Sequence, residues 1–395
     1  MIEPKKDIVC VAFPAWKGNY LKSTVQLMTE LALHGHHILY VNYAFTWKDF
    51  ILSLFGKGYI SWKRLSGFKP RLSIMSLENG AEIHLLTLPP ILPINFIKSP
   101  MIYDAIHKIN TFFIKRAILK AMESIGMTAP TVVNAFNPTI GNALVGQLNE
   151  SKLIYYCYDE IGSARWASRH GKRLEDAFIK KADTVIVTSQ GLFDKKSKEH
   201  NDCHLIKNGV DFKLFSKKSE NLPAISFESD KKVIGYLGSV DERVDYDLLE
   251  KLISTTPQYD YVFVGRVTQS AYEKRLLAFP NVQLMGSQPP PTLPAWVQKF
   301  DVCLIPFLKN ELTAGIYPLK INEYLAAGKP VVSTRFANLS DFETVVQIAD
   351  NDDSFLQLVQ KEYSNEDAAR FRQFASQNSW AARSKAFSEL CSIFV

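Results

Sequence analysis

The chain predicts an α/β protein made of two Rossmann-like, doubly wound domains in tandem, and three observations carry that expectation. Ile8-Val-Cys-Val-Ala-Phe13, an apolar helical repeat from about Leu21 to Leu33, and His37-Ile-Leu-Tyr-Val-Asn42 form a β-loop-α-β opening. The same strand-loop pattern restarts at Lys232-Val-Ile-Gly-Tyr-Leu-Gly-Ser239, after a polar stretch rich in lysine and serine. A length of 395 residues provides for two or three domains with sizeable cores. The expected boundaries are 1–215 for the first domain, 216–231 for the linker, 232–364 for the second domain and 365–395 for a last helix.

Composition is that of an ordinary globular protein, with 47% hydrophobic and 22% charged residues. The net charge of +6 is modest, so its distribution matters more than its total. Five cysteines, at Cys10, Cys157, Cys203, Cys303 and Cys391, show no metal-ligand spacing and read as reduced residues of a cytoplasmic protein. The first residues lack the apolar core of a signal peptide, and no apolar run reaches 18 residues.

Taken in order, the opening unit is followed by Pro14 to Tyr20, where Lys17-Gly18-Asn19 is not a Gly-x-Gly-x-x-Gly fingerprint and argues against a dinucleotide site. Residues 45–71 carry Lys48, Lys57, Lys63, Arg64, Lys69 and Arg71 against one acid, Asp49. Phe45, Trp47, Phe50, Phe55, Tyr59, Trp62 and Phe68 are interleaved with them. That mixture suits an anionic bilayer; single-stranded nucleic acid would accept it too, but no RNA-binding signature accompanies it. Plain packing of the insertion on its domain is the competing expectation. Pro89 to Phe96 and a basic helix near Ile106 to Met122 continue the theme.

Strands are expected at Thr131–Phe136, Lys152–Tyr158 and Asp183–Ser189, with a helix from about Thr139 to Leu148. Asp159 and Glu160 stand at the carboxyl end of the second of these, where open parallel sheets hold ligands. If the strand geometry persists the two point to opposite sides, so only one can face a ligand, and Asp159 either acts chemically or caps the next helix near Gly162. Arg165, Arg169, His170 and Arg173 follow on a helix, set either to meet a diphosphate or to be solvated. Asn208-Gly209-Val-Asp211 reads as a structural turn in which positive φ is cheap.

In the second domain, strands are expected at Tyr261–Gly265, Val282–Met285 and Asp301–Pro306, and Phe307 to Gly315 as a loop. Thr313-Ala314-Gly315 is a pliable segment whose amides are placed to face an anion. Pro318 suits the first turn of a helix, Gly328 and Pro330 end it, and Val331-Val332-Ser333 is a buried strand. Lys320 and Glu323 lie three apart on one face of that helix. A cation near a helix N-terminus calls for an anion, so a ligand with phosphates and a ribose suits the pair.

Pro318-Leu-Lys-x-x-Glu-Tyr-Leu-Ala-Ala-Gly-Lys-Pro-Val-Val332 resembles the nucleotide-sugar signature of GT-B glycosyltransferases. The likeness is greatest to bacterial teichuronic acid and xanthan-type glucuronosyltransferases of exopolysaccharide synthesis. It implies two domains facing across a cleft, with residues 16–20 toward it and the C-terminal helix crossing back to the first domain. It further implies a metal-free donor site of Gly238, Ser239, Arg243, Arg266, Ser287, Gly315, Lys320 and Glu323, with Asp159 and Glu160 as catalytic carboxylates, Asp159 serving as base if the reaction inverts. The donor is expected to be a UDP-sugar, and no other cofactor is expected. The acceptor is expected to be a lipid-linked or saccharide molecule on the inner face of the plasma membrane, to which the enzyme attaches peripherally. In the fuller retaining signature a glutamate stands eight residues before Glu323; here that position is Gly315, which favours inversion. Two alternatives stay open: a nucleotide-sugar epimerase of the same fold, and a non-catalytic membrane- or polysaccharide-binding protein.

Overall fold

The computed structural model describes residues 5–18, 22–58, 60–163, 167, 169–220 and 231–391. Arg165, Tyr59, Asn19, Tyr20 and most of the 216–231 linker lie outside them. The chain divides into two compact units, Met1–Lys207 with Arg383–Val395, and Asn208–Ala382.

Unit one runs β1 (Asp7–Ala12), α1 (Ser23–Leu33), β2 (His37–Val41), α2 (Trp47–Leu54), α3 (Trp62–Ser66), β3 (Leu72–Ser76), β4 (Glu82–Leu86) and α4 (Pro100–Ser124). It continues with β5 (Thr131–Ala135), α5 (Pro138–Leu144), β6 (Lys152–Cys157), α6 (Gly171–Ile179), β7 (Thr184–Val187), α7 (Gln190–Lys196) and β8 (Cys203–Leu205). The sheet order is β3-β4-β2-β1-β5-β6-β7-β8, parallel throughout except for β3, which runs against β4 at the edge. Ile8 to Ala12, Val132, Val133 and Ile154 are almost wholly buried because helices cover both faces, which is why these strands read as continuous apolar runs. β3 and β4 escape the sequence reading: Leu72-Ser-Ile-Met-Ser76 is a half-exposed edge, not a buried run.

Unit two runs α8 (Phe212–Ser216), β9 (Val233–Leu237), α9 (Tyr246–Thr255), β10 (Asp260–Val264), α10 (Ser270–Leu276), β11 (Val282–Leu284), α11 (Leu293–Lys299) and β12 (Val302–Ile305). Then come α12 (Glu311–Ala314), α13 (Leu319–Ala326), β13 (Val331–Thr334), β14 (Gln347–Ala349), α14 (Asp352–Gln360) and α15 (Asn365–Gln377). Its sheet is wholly parallel, in the order β11-β10-β9-β12-β13-β14. Counted from β9, that is the 3-2-1-4-5-6 order of a dinucleotide-type fold, which places its switch point between β9 and β12.

The single last helix expected from Asn365 onward is two helices. α15 packs on α13, and α16 (Trp380–Leu390) returns to the first sheet, where Thr131 Oγ1 donates to Cys391 O at 3.2 Å. The break at Asn378-Ser379 is where the chain pairs with Val210, through Val210 N to Asn378 O and Trp380 N to Val210 O, each 3.0 Å. Gly209 is therefore needed for close approach, not for positive φ. A Cβ there would lie 2.7 Å from Trp380 N.

Candidate active site

The helix expected to carry the site starts one residue later than its sequence implies, with Pro318 at the capping position instead of in the first turn. Its far end is a Schellman closure: Lys329 N bonds Tyr324 O, Gly328 N bonds Leu325 O, each at 2.9 Å, and Gly328 adopts φ +77. Tyr324 is fully buried, and its hydroxyl accepts from Leu237 N at 2.7 Å, pinning α13 to the end of β9.

That pinning brings Lys320 beneath the β9 turn. Gly238 has φ +143, and a Cβ on it would stand 2.0 Å from Lys320 Cε. A Cβ on Gly265 (φ +152) would meet Gly238 O at the same distance. The two glycines therefore let the β9 and β10 turns stack over one lysine side chain. The Lys320 ammonium lies 5.4 Å from the Tyr236 ring centroid and 5.3 Å from that of Phe307, a two-ring cage at the β9–β12 switch point. Among the described residues no carboxylate forms an ion pair with it. Burial, with Arg243 nearby, pulls its pKa down to about 8. Burial likewise pushes the Glu323 carboxyl up to about 7, with Lys320 opposing and Asp211 adding to the rise.

The other expected donor residues divide. Arg243 is part of the cluster, but its guanidinium already grips Asp241 (Nε to Oδ1 2.8 Å, NH2 to Oδ2 2.5 Å) and rests on Phe307 at 5.5 Å. Ser239 lends its carbonyl to the Tyr236 hydroxyl at 2.9 Å. Arg266 is exposed, its carbonyl accepting from Val240 N. Ser287 is exposed in the turn after β11. Gly315 is exposed at the end of α12, with nothing near the position of a Cβ.

The pliable anion loop expected at Thr313 to Gly315 is instead a capped helical turn. Thr313 N bonds Asn310 Oδ1 at 3.0 Å, Ala314 N bonds Asn310 O at 2.9 Å and Ile316 N bonds Thr313 O at 3.0 Å. Those amides are spent within the turn. Tyr236, Phe307 and Asp241 are the site residues that sequence reading missed. Tyr236, two residues before a turn glycine on a buried strand, reads as core; only the fold shows the cation on its face.

Residues 231–365 match the family model described as glycosyl transferases group 1. The second unit carries a group 1 glycosyl transferase domain, and the fold is GT-B. The chain is similar to the protein named as teichuronic acid biosynthesis glycosyltransferase TuaH of Bacillus subtilis, 27% identical over 180 residues. That match covers 44% of this chain and 45% of the relative, so it spans less than half of either. Sucrose-phosphate synthase from Thermosynechococcus elongatus superposes with a TM-score of 0.67 at 16% identity, over 98% of both chains. Anabaena HepE in complex with UDP and glucose gives 0.64 at 12%, over 99% of this chain and 100% of that one. The catalytic domain of starch synthase IV from Arabidopsis thaliana, bound to ADP and acarbose, gives 0.65 at 11%, over 98% and 99%.

In the first unit of this GT-B chain, Asp159 is exposed, and its Oδ1 accepts from Glu160 N at 2.8 Å. Burial raises the pKa of Glu160, but Lys195 and the Gly162 N–H outweigh that and leave it lowered. Lys195 Nζ sits 2.9 Å from Glu160 Oε2. Glu160 therefore reaches Gly162. Three of the basic residues that follow are engaged within the unit. Arg173 pairs with Asp104 at 2.8 Å, His170 Nε2 bonds Ile97 O at 2.9 Å, and Arg169 donates to Phe96 O.

Proposed function

We propose that the chain transfers a sugar from a UDP-sugar to a lipid-linked acceptor at an anionic membrane surface, in the synthesis of a cell-surface polysaccharide. The observation that carries the donor half is the caged, half-buried Lys320 ammonium, which no carboxylate among the described residues pairs, at the switch point of the second sheet. A diphosphate supplies the missing anion, and neutralising the departing UDP at that atom lowers the barrier directly. Glu323, one turn along the same face, is placed to accept from sugar or ribose hydroxyls. UDP in the HepE complex gives the base its precedent. Asp159 is the proposed base for an inverting transfer, exposed just past the carboxyl end of β6.

The membrane half rests on the outer face of the first unit. α4 buries Tyr103, His107, Ile114 and Ile118 inward, yet its outward stripe is also apolar, with Met101, Ile109, Phe112 and Phe113 exposed beside Lys108 and Arg116. Trp47, Phe55 and Phe68 are exposed in residues 45–71, whereas Phe45 is core and Phe50 and Trp62 are half-buried. No helix among the described residues is long and apolar enough to cross a membrane. An interfacial surface of rings and cations fits peripheral attachment.

A thermal-shift screen of nucleotide sugars tests the reading. A UDP-sugar is expected to raise the melting temperature, because ligand held by the native state alone stabilises it. No shift with any uridine nucleotide at millimolar concentration would refute the proposed donor.

A further inference from the structure

The first unit contains a pocket of about 420 Å³ that is separate from the Lys320 site. Phe13 follows β1, Tyr43 and Ala44 follow β2, and Asn137 follows β5, and all four line it. β1 and β5 are the neighbours where strand order reverses, so the pocket occupies the switch point of the first sheet. Its volume lies within the usual range for small-molecule sites, roughly 300–1,000 Å³.

The wall is mainly hydrocarbon, from Phe13, Ala44, Ile94, Tyr103, Ile114 and Ile140. The segment 91–97 forms its roof and is held on three sides. Ile91 pairs with the start of α2, through Trp47 N to Ile91 O at 3.0 Å and Ile91 N to Phe45 O at 2.9 Å. The Asn110 side chain bonds both Leu92 N and Leu92 O at 2.9 Å. Arg169 and His170 hold the carbonyls of Phe96 and Ile97. This is a pre-formed cavity under a fixed roof. At the end of β5, Phe136 adopts φ +53, a conformation bulky side chains rarely take. Such strain is found where a site over-determines its backbone.

The mouth differs from the wall. Phe96, which lines the pocket, is 68% exposed, and Trp47, between the lining residues Thr46 and Lys48, is 47% exposed. Lys48 lines the pocket, is itself exposed, and forms no ion pair among the described residues. A hydrocarbon interior, an aromatic rim and one cation make an amphiphile with a chain and a phosphate the complementary ligand.

We propose that this pocket takes the terminal hydrocarbon of a phosphate-bearing lipid, isoprenoid or acyl, with Lys48 meeting its phosphate. That such a lipid is the sugar acceptor rests on the transferase reading; the pocket's occupant does not. The test titrates isopentenyl, geranyl and farnesyl phosphate, below aggregation, into the full chain. Affinity is expected to rise at least tenfold from the five-carbon to the fifteen-carbon chain. Ala44→Phe, which places a ring in the cavity, is expected to abolish that dependence and leave UDP binding unchanged. A diazirine-bearing farnesyl phosphate gives a readout on the wild type alone. Labelling within residues 91–97 and 103–114, competed by unlabelled farnesyl phosphate, is the expected result. Equal affinity across the three chain lengths, or labelling that is not competed or falls outside those peptides, would overturn the proposal. Farnesyl phosphate binding in a protein that binds no UDP would support the pocket while removing the proposed donor.

Discussion

Lys320 is costly to the unliganded protein. A half-buried ammonium beside two rings, with no carboxylate among the described residues in ion-pair contact, is stabilised less than the same group in water; burial, with Arg243 nearby, outweighs Glu323 and Asp241 and takes its pKa from 10.5 to about 8. Lys320→Met is therefore expected to raise the melting temperature, by the equivalent of about 1–3 kcal/mol, while abolishing UDP binding. Differential scanning calorimetry of the two proteins checks the sign. The proton balance is specific. Between about 8 and 10.5 the unfolded chain holds more protons at this site, so its contribution to stability rises with pH in that window. Glu323 works in the opposite sense. Its native pKa of about 7 exceeds the usual 4.5, so it contributes stability that is lost as pH rises through 7. UDP binding needs the charged lysine and is expected to weaken roughly tenfold from pH 7 to pH 9, with the Lys320→Arg protein flat over that range. Gly238→Ala should cost binding as well, since its Cβ would displace Lys320. Lys320 and Glu323 were legible in the sequence because their spacing is local to one helix. The Tyr236–Phe307 cage was not, because it joins residues from β9 and the end of β12 that only the sheet brings together.

At the scale of elements, α4 decides the membrane question. Its inward face supplies the core, so its outward apolar stripe has no folding role. Phe112→Glu with Phe113→Glu is expected to leave the melting temperature within about 1 kcal/mol of wild type, as exposed substitutions do. Co-sedimentation with anionic vesicles should fall severalfold in the same protein. Binding of the wild type should also fall with salt, the screening length being about 3 Å at 1 M. Unchanged sedimentation in the double variant would move the contact elsewhere. Helices and strands with a clear period were legible: β1, α1, β2 and β9 lie within a residue or two of their predicted ends. β3, α12 and the break between α15 and α16 were not. β3 is held by pairing with β4, α12 by the Asn310 cap, and the break by a pairing with Val210 that lies 169 positions away in the chain.

For the molecule as a whole, two sheets of the same winding each place a candidate site at their own switch point. The repeated winding followed from the strand-loop-helix pattern, since connection handedness leaves few other topologies; the pocket between β1 and β5 did not. The proposed chemistry is divided between the units, with Lys320 and Glu323 in one and Asp159 in the other. Asp159→Asn should consequently lower turnover about a hundredfold or more and leave UDP affinity intact. Full turnover would remove Asp159 from the chemistry. The central claim, that the second unit holds a nucleotide diphosphate through the caged lysine, is tested most directly by calorimetric titration of UDP into the wild-type and Lys320→Met proteins at pH 7. Saturable binding that weakens by at least tenfold in the variant, the scale of one charge-assisted hydrogen bond, is the predicted result. Equal affinity in the two folded proteins would contradict it.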